Sequence, residues 1–438
     1  MLVPSPRWLE GKGEGKFRKE TTSLHVRALA LVLLLPLAGL FAAAGCSDSG
    51  SGSEGSKTRT VKRSGEADYR IVQDCIDEAA NGDTCLVYAG TYPGTLQFNG
   101  KAILVKSVDG PDHTTLDGDF LNQDGQGDDT VVRFVSNERA SSVLDGFTVT
   151  NGVAVDHGGG IYIEAASPTI RNCIIRDNSA AGDGAGVYCF GSTARPLIRN
   201  TVIQANTAQG QGGALRALYA SPNLINCLVF GNAAELEGGA LSAQEGAAVA
   251  LENCTVADNE SAQKGGGLYL LHSTATVSNS ILWANEAPAG SQAYLEVPAA
   301  TKATRLYLRY TDLQGGRDAV VGGASDCSPE DPPPLCLGIE GTSLQADPLF
   351  VPFDYELAPG ERDPKLGYYL SQSATQREDQ PTDSPCVDAG DPSQLIEELG
   401  IEQRTTRTDQ VVDQVDVDGG RLIDLGYHYA VVEQEPSP

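Results

Sequence analysis

The chain has 438 residues with a formal net charge of −27, and 50 of the residues are glycine while only 6% are aromatic. Glycine costs roughly 1 kcal/mol at each position inside a helix, so this composition argues against a helical bundle. The glycines do not recur at every third position, which excludes a collagen-like chain. A surface this acidic also argues against nucleic acid or a bare anionic membrane as a binding partner.

Residues 1–45 are predicted to be an export signal. An apolar run of 17 residues follows several lysines and arginines, contains Pro36 and ends in small residues, which is typical of a secretory signal rather than a transmembrane helix. The run stops just before Cys46, and residues 46–66 begin with a Ser- and Gly-rich tether that we expect to be flexible.

This arrangement resembles a bacterial lipoprotein signal. The resemblance implies that Cys46 carries a lipid and that this lipid anchors the protein in a membrane. The protein is then expected to be exported to the cell envelope, at the outer membrane or the cell surface. The alternative is ordinary cleavage near Ala44, which leaves Cys46 as a free thiol.

Export permits disulfide bonds among the cysteines other than Cys46. The chain has 10 cysteines, so an odd number remains and at least one thiol is unpaired or bonded to another molecule. Two pairs lie close together in the sequence, where short loops can close them: Cys75 with Cys85 and Cys327 with Cys336. No CxxC motif and no Cys/His spacing typical of zinc occurs, which argues against a thiolate metal site.

Two short motifs alternate along the middle of the chain. A glycine corner recurs at spacings of 26 to 28 residues, in the forms GGGIY, GAGVY, GGALR, GGALS and GGGLY, which begin at residues 158, 184, 212, 238 and 265. Between the corners, a second motif carries two asparagines that are six residues apart. The first asparagines are Asn172, Asn200, Asn226, Asn253 and Asn279, and the second are Asn178, Asn206, Asn232, Asn259 and Asn285.

The repeat predicts an all-β solenoid. Short β-rich segments are separated by turn residues, and no amphipathic helix fills a crossover. About 27 residues make one solenoid turn of three strands, each paired in parallel with its equivalent in the next turn at about 4.8 Å. We expect the first asparagines to stack as a hydrogen-bonded structural ladder. An apolar column two residues before them is predicted to form a row of the core: Ile170, Ile198, Leu224, Leu251 and Val277.

These features resemble the right-handed parallel β-helices of the pectin-lyase-like superfamily, and the glycine and asparagine motifs are also similar to polymorphic outer-membrane protein repeats. Residues 69–108 resemble the start of such proteins, with one amphipathic capping helix and the turn GDT…GTY. Residues 384–429 resemble a tail module known as a choice-of-anchor domain. The resemblance implies a β-helix over residues 67–310, with residues 311–438 as an irregular C-terminal cap.

Two columns of side chains are predicted on one face of the solenoid, because strand side chains alternate between inward and outward positions. A column of tyrosine and arginine is suited to stacking against sugar rings. The alternative is that such a ladder of side chains only stabilises the pairing of neighbouring strands. The residues that precede the corners form a second column with titratable side chains, in which an acid/base pair could lie. The alternative is that they are solvated turn residues that form only weak ion pairs. The first column is Tyr162, Tyr188, Arg216, Ser242 and Tyr269, and the second is His157, Asp183, Gln211, Glu237 and Lys264.

Calcium is the one cofactor that the sequence indicates. A glycine-rich loop carries several carboxylates, and calcium takes about six to eight oxygen ligands. The spacing is not that of an EF-hand, so the alternative is a solvated acidic loop. The candidate ligands are Asp117, Asp119, Asp124 and Asp128.

Enzymes of the superfamily that the chain resembles carry motifs that are missing here. The complete polygalacturonase-like set of paired aspartates, a His-Gly and an Arg-x-Lys on successive turns does not occur, and the pectin methylesterases share only the turn Gly90-Thr91-Tyr92. We therefore expect a non-catalytic binding or structural surface, with a polysaccharide as the ligand. The alternatives are a polysaccharide lyase or hydrolase acting on the tyrosine face, and a purely architectural envelope spacer or adhesin.

Overall fold

Short strands stack in parallel along most of the chain and form a solenoid with very little helix. The structure is a computed structural model and describes residues 55–119, 128–296, 302–322, 326–327, 335–341, 344–351, 369–370, 384–386, 404–405, 426 and 429–430. The predicted all-β solenoid is confirmed.

Three sheets form the wall of the solenoid in the described residues. The broad sheet contains Thr58–Val61, Thr84–Val87, Gly90–Pro93, Leu104–Ser107, Thr114–Asp117, Val143–Asp145, Thr148–Thr150, Thr169–Arg171, Ile174–Arg176, Leu197–Arg199, Val202–Gln204, Asn223–Ile225, Leu228–Phe230, Ala248–Glu252, Thr255–Ala257, Thr274–Trp283, Thr304–Leu313 and Leu335–Glu340. The tyrosine sheet contains Leu96–Gln97, Val132–Phe134, Ile161–Glu164, Val187–Phe190, Leu215–Leu218, Leu241–Gln244, Leu268–Leu271, Ala293–Leu295 and Val320–Val321. The narrow sheet contains Asp128–Asp129, Val153–Ala154, Ser179–Ala180, Thr207–Ala208, Ala233–Ala234 and Glu260–Ser261.

Four further short strands form two antiparallel pairs, Phe350–Val351 with Tyr369–Leu370 and Arg404–Thr405 with Tyr429–Ala430. A 3-10 helix, Gly316–Ala319, precedes the last strand of the tyrosine sheet. In the described part of the chain, none of the helices has the length and apolarity needed to cross a lipid bilayer.

Equivalent residues of neighbouring turns pair directly with each other. Ile170 pairs with Ile198, and the same register continues to Val277, so the predicted core row is present. All of its members are at most 1% exposed. Each turn buries its apolar residues only against the turns above and below it, which is why the period of the repeat is so regular.

The solenoid extends beyond the predicted residues 67–310 in both directions. Thr58–Val61 pairs in parallel with Thr84–Val87, and Thr304–Leu313 pairs in parallel with Leu335–Glu340. The expected amphipathic helix is present at Val72–Glu78, where Val72, Cys75 and Ile76 are buried. These outer turns lack the glycine and asparagine motifs, so the repeat in the sequence did not reveal them.

Glycine is needed at the corners for two different reasons. The first glycine of each corner, such as Gly158 or Gly238, has a φ of 70° or 75°, in the left-handed region that glycine adopts at no steric cost. The second glycine has no such φ, but a Cβ atom at Gly239 would overlap the carbonyl oxygen of Glu260 in the next turn. The corners therefore set how closely consecutive turns approach.

The first asparagines lie at a bend between the two halves of the broad sheet. Asn172, Asn200, Asn226, Asn253 and Asn279 have φ values between 48° and 53°, a left-handed conformation that asparagine tolerates better than most residues. Asn226 Nδ2 donates to Asn200 Oδ1 at 2.9 Å, and Asn172 Nδ2 donates to Asp145 Oδ1 at 2.7 Å. These two side-chain bonds join neighbouring turns, and the backbones of all five asparagines turn the chain.

The second asparagines form a longer ladder that the sequence analysis did not assign. From Asn178 to Asn285, each Nδ2 donates at 2.9 Å to the Oδ1 of the asparagine in the next turn. Each acceptor Oδ1 also takes the backbone N–H of the preceding asparagine at 3.1 Å. Because these side chains are at most 3% exposed, every bond of the ladder is made away from water.

Part of the expected C-terminal cap lies against the broad sheet. The Cys386 thiol donates to Asp312 Oδ2 at 3.1 Å, Cys386 packs on Ile281, and the Gly426 N–H donates to the Asn279 carbonyl at 2.9 Å. Burial raises the pKa of Asp312 to about 6. Described residues of the predicted cap therefore contact the wall of the solenoid at Asn279, Ile281 and Asp312.

The two cysteine pairs that are close in the sequence are bonded, Cys75 to Cys85 and Cys327 to Cys336. The other described cysteines are buried thiols: Cys173, Cys189, Cys227, Cys254 and Cys386. Burial raises the pKa of Cys173 to about 12, so this thiol stays protonated and donates to the Arg171 carbonyl.

Replacing Asn232 by alanine tests the second ladder. The change removes the acceptor of the Asn206 amide and the donor to Asn259, which leaves buried polar groups unpaired. We expect a loss of about 2–4 kcal/mol in the free energy of unfolding, measured by urea titration. The control Gln209→Ala, at an exposed position of the neighbouring turn, is expected to change it by less than about 0.5 kcal/mol. Equal effects of the two substitutions would contradict a stabilising ladder.

Candidate functional site

The outer face of the tyrosine sheet brings the predicted first column together. Its members occupy equivalent positions in consecutive strands, in exact register from one turn to the next. The register continues beyond the predicted column in both directions, and the set named here takes in the first additional residue at each end. We call this set the tyrosine column: Arg133, Tyr162, Tyr188, Arg216, Ser242, Tyr269 and Tyr294.

The predicted second column, called here the corner column, lies over the tyrosine column with an offset of one turn. The His157 ring stacks on the Tyr188 ring, with centroids 4.4 Å apart and planes 7° apart. In the next turn, Asp183 Oδ2 lies 3.3 Å from Arg216 Nε. The corner column is His157, Asp183, Gln211, Glu237 and Lys264, and each of its members is half-buried.

The expectation of an open tyrosine platform is wrong for most of its length. Tyr188 and Tyr269 are 4% exposed and Arg216 is 3% exposed, although Tyr162 is half-exposed. The backbone of the corners is the physical reason, because a Cβ at Gly158 would lie only 3.1 Å from the Cβ atoms of Tyr162 and Tyr188. The corners thus pass directly over the column, which is a covered layer.

A polar network surrounds Arg216 at the centre of this layer. Arg216 Nη1 donates to Ser242 Oγ at 3.0 Å, and Nε donates to Asp183. Asp183 Oδ1 also accepts the Gln211 backbone N–H at 2.8 Å, and Gln211 Nε2 donates to Glu237 Oε2 at 2.6 Å. Burial lowers the pKa of Arg216, while the Asp183 carboxylate opposes this shift. The guanidinium is therefore a buried cation held by its own turn-to-turn neighbours.

A second network occupies the C-terminal end of the face. Lys264 Nζ donates to Glu296 Oε2 at 2.6 Å and lies 4.7 Å from the Tyr294 ring centroid. Tyr269 stacks on Tyr294 and its hydroxyl donates to the same carboxylate oxygen at 3.3 Å. The hydrogen bond to Glu296 raises the pKa of Lys264, and burial raises the pKa of Tyr269. Both groups keep their protons at neutral pH.

The N-terminal end of the face is an aromatic and cationic stack. Arg133 lies over the Tyr162 ring, 4.8 Å from its centroid, and Tyr162 stacks on Tyr188 at 5.4 Å. The Tyr162 hydroxyl lies 3.5 Å from Glu164 Oε2. Burial raises the pKa of Tyr188 to about 12, so this hydroxyl remains a hydrogen-bond donor.

A third column, which the sequence analysis missed, is more accessible than the tyrosine column. Its residues follow the tyrosine column by two positions, where the same alternation turns them outward, and each of them is half-buried. Beside this column Tyr219 is 44% exposed and packs edge-on against Phe190, with centroids 6.1 Å apart. We call this set the rim column: Glu164, Phe190, Leu218, Gln244, Leu271 and Glu296.

The calcium prediction remains a prediction. Asp117 Oδ1 accepts hydrogen bonds from the Asn151 amide at 2.9 Å and from the Asp119 backbone N–H at 3.0 Å. Asp124 and the side chain of Asp128 lie outside the described residues. Within the described ranges, no three His, Cys, Asp or Glu side chains form a group that could hold a metal ion.

The lipid-attachment prediction is also untested, since Cys46 and the signal segment before it lie outside the described residues. The export and envelope predictions depend on this same segment and remain predictions with it.

Comparison with known families agrees with the geometry of the solenoid. Residues 134–297 match the family model described as "Right handed beta helix region". The chain is a right-handed parallel β-helix. The matched residues include the five glycine corners and both asparagine motifs, so the right-handed parallel β-helix expected from the sequence is confirmed.

Solved structures similar to this β-helix include two pectin methylesterases. The carrot enzyme shares 13% identity over 57% of this chain and 80% of its own, with a TM-score of 0.31. The Aspergillus niger enzyme shares 13% identity over 68% of this chain and 88% of its own, with a TM-score of 0.35. None of the curated proteins matches the chain. At these identities the likeness concerns the fold alone.

Alanine substitutions of two tyrosines distinguish the covered column from the exposed surface. Tyr188→Ala removes a buried ring that stacks on His157 and Tyr162, so we expect a loss of about 2–4 kcal/mol in unfolding free energy. Tyr219→Ala, at an exposed ring, is expected to cost less than about 1 kcal/mol. Urea unfolding of both variants measures the difference, and a Tyr188→Ala variant as stable as the parent would refute the covered arrangement.

Proposed function

We propose that this β-helix is an exported, lipid-anchored protein of the cell envelope that binds glycan without catalysing a reaction. In this proposal the lipid on Cys46 and the flexible tether hold the solenoid away from the membrane. The outer face of the tyrosine sheet then contacts the ligand through the rim column and the neighbouring Tyr219.

The observation that carries the non-catalytic part is the pairing of the titratable groups on this face. Asp183 is bonded to Arg216, and Lys264 is bonded to Glu296. A general acid or base must lie within hydrogen-bond reach of the reacting proton of a bound substrate, whereas these four groups are bonded to one another. Here the buried and half-buried groups hold one another in place, so they support a fixed surface.

The rim column supports a sugar as the ligand. Phe190, Leu218 and Leu271 offer half-exposed apolar surface, and Tyr219 offers an exposed ring. The Gln244 amide lies between the apolar members, and such combinations of apolar surface with a few polar groups are typical of ligand sites. Sugar rings combine an apolar face with hydroxyl groups, and this surface presents both kinds of partner in a line.

Affinity electrophoresis with a panel of polysaccharides tests the binding. We expect the purified protein to be retarded by at least one polymer, and Tyr219→Ala to weaken that retardation about five- to tenfold because a ring contact is lost. Val155→Ala, which removes an equally exposed side chain on the narrow-sheet side, should leave it unchanged.

The same incubations also examine catalysis, by absorbance of unsaturated ends and by reducing-end analysis with calcium present. The proposal expects intact polymer at every pH tested. Accumulation of shortened or unsaturated chains would replace the binding function with the lyase or hydrolase alternative. If both Tyr219→Ala and Val155→Ala are retarded as strongly as the parent protein, Tyr219 is not part of the site.

Cell fractionation tests the anchor. In a bacterial host that lipidates exported proteins, the parent protein should sediment with membranes and Cys46→Ala should move to the soluble fraction. Cys189→Ala, at a buried thiol, serves as the control and should still sediment. A Cys46→Ala protein that stays with the membranes would contradict lipid anchoring.

A further inference from the structure

The cations on the tyrosine face are all engaged by groups of the same face. Arg133 lies over the Tyr162 ring, Arg216 is bonded to Asp183, and Lys264 is bonded to Glu296 and lies over the Tyr294 ring. At Arg216 and Lys264, a ligand carboxylate would have to compete with Asp183 or Glu296 for a cation that is already held.

Two carboxylates on the face have no such cation. Glu164 lies beside the Tyr162 hydroxyl, and Glu237 accepts from the Gln211 amide. Among the described residues, neither carboxylate forms an ion pair within 4.0 Å. The tyrosine, corner and rim columns together therefore have one more carboxylate than they have lysine and arginine side chains. The whole chain has a formal net charge of −27.

The uncharged oxygen atoms of a ligand are not repelled by the carboxylates of this face. The half-buried Tyr162 hydroxyl and the half-buried Gln244 amide of the rim column are neutral polar groups. The hydroxyl and ring oxygens of a sugar can bond to such groups without bringing a charge next to Glu164 or Glu237.

We propose that the tyrosine face selects neutral polysaccharides and rejects polymers of uronic acid, with Glu164 and Glu237 as the residues that determine this specificity. The inference rests on the proposed glycan-binding function and adds the class of glycan. Repulsion between two unit charges about 4 Å apart in water is worth about fivefold in affinity, and a uronate polymer brings one charge per sugar.

Affinity electrophoresis with laminarin and galactomannan as neutral polymers and polygalacturonate as the acidic polymer tests the selection, in 50 mM and 200 mM salt without calcium. We expect retardation by a neutral polymer that is independent of salt, and none by polygalacturonate. The double variant Glu164→Gln/Glu237→Gln should gain about fivefold or more in affinity for polygalacturonate, most clearly at low salt, where screening is weakest. The ratio of its affinity for a neutral polymer to its affinity for polygalacturonate should therefore fall about fivefold or more.

The control Glu235→Gln/Glu260→Gln removes the same number of charges at exposed positions away from these columns. An equal gain in polygalacturonate binding by this control would overturn the assignment to Glu164 and Glu237. Stronger retardation of the parent protein by polygalacturonate than by either neutral polymer would overturn the selection while leaving glycan binding intact. Retardation by none of the three polymers would overturn the glycan-binding function on which the inference rests.

Discussion

Parallel pairing between neighbouring turns fixes every column of this molecule. The buried ladder from Asn178 to Asn285 bonds each turn to the next through side chain and backbone together. A strand that slipped by one residue would break these bonds and turn its inward side chains to the outside. The ladder and the apolar core row therefore enforce the same register, and each surface column inherits its order from that register.

The glycine corners relate this register to the residue types on the face of the tyrosine sheet. Because the corner backbone passes over the tyrosine column, a bulky ring or a guanidinium in that column is covered by the residue before the corner of the preceding turn. A charged group covered in this way needs a partner within reach, and the offset of one turn supplies it, as Asp183 does for Arg216. The polar groups of the face are thus determined by packing before any ligand is considered.

The sequence was sufficient for the features that repeat and insufficient for those that depend on the path of the backbone. The period, the core row at Ile170 and the corner glycines could be predicted, because each follows from spacing alone. Which of the two asparagines forms the longer ladder could not be predicted, since both recur identically and only the left-handed φ of residues such as Asn172 separates them. The cover over Tyr188 was missed for the same reason, and Tyr294 was missed because its corner, which begins at Gly290, contains only one glycine.

A solenoid places equivalent residues in line, so like charges in one column would repel one another at about 4.8 Å in every turn. This chain avoids that cost by changing the residue from turn to turn, with Arg216 beside Tyr188 and Ser242, and Lys264 beside Glu237. In this arrangement Arg216 and Lys264 are held by Asp183 and Glu296, so an anionic ligand would have to displace a carboxylate to reach them. The proposed preference for uncharged polymers is consistent with the same requirement that allows the turns to stack.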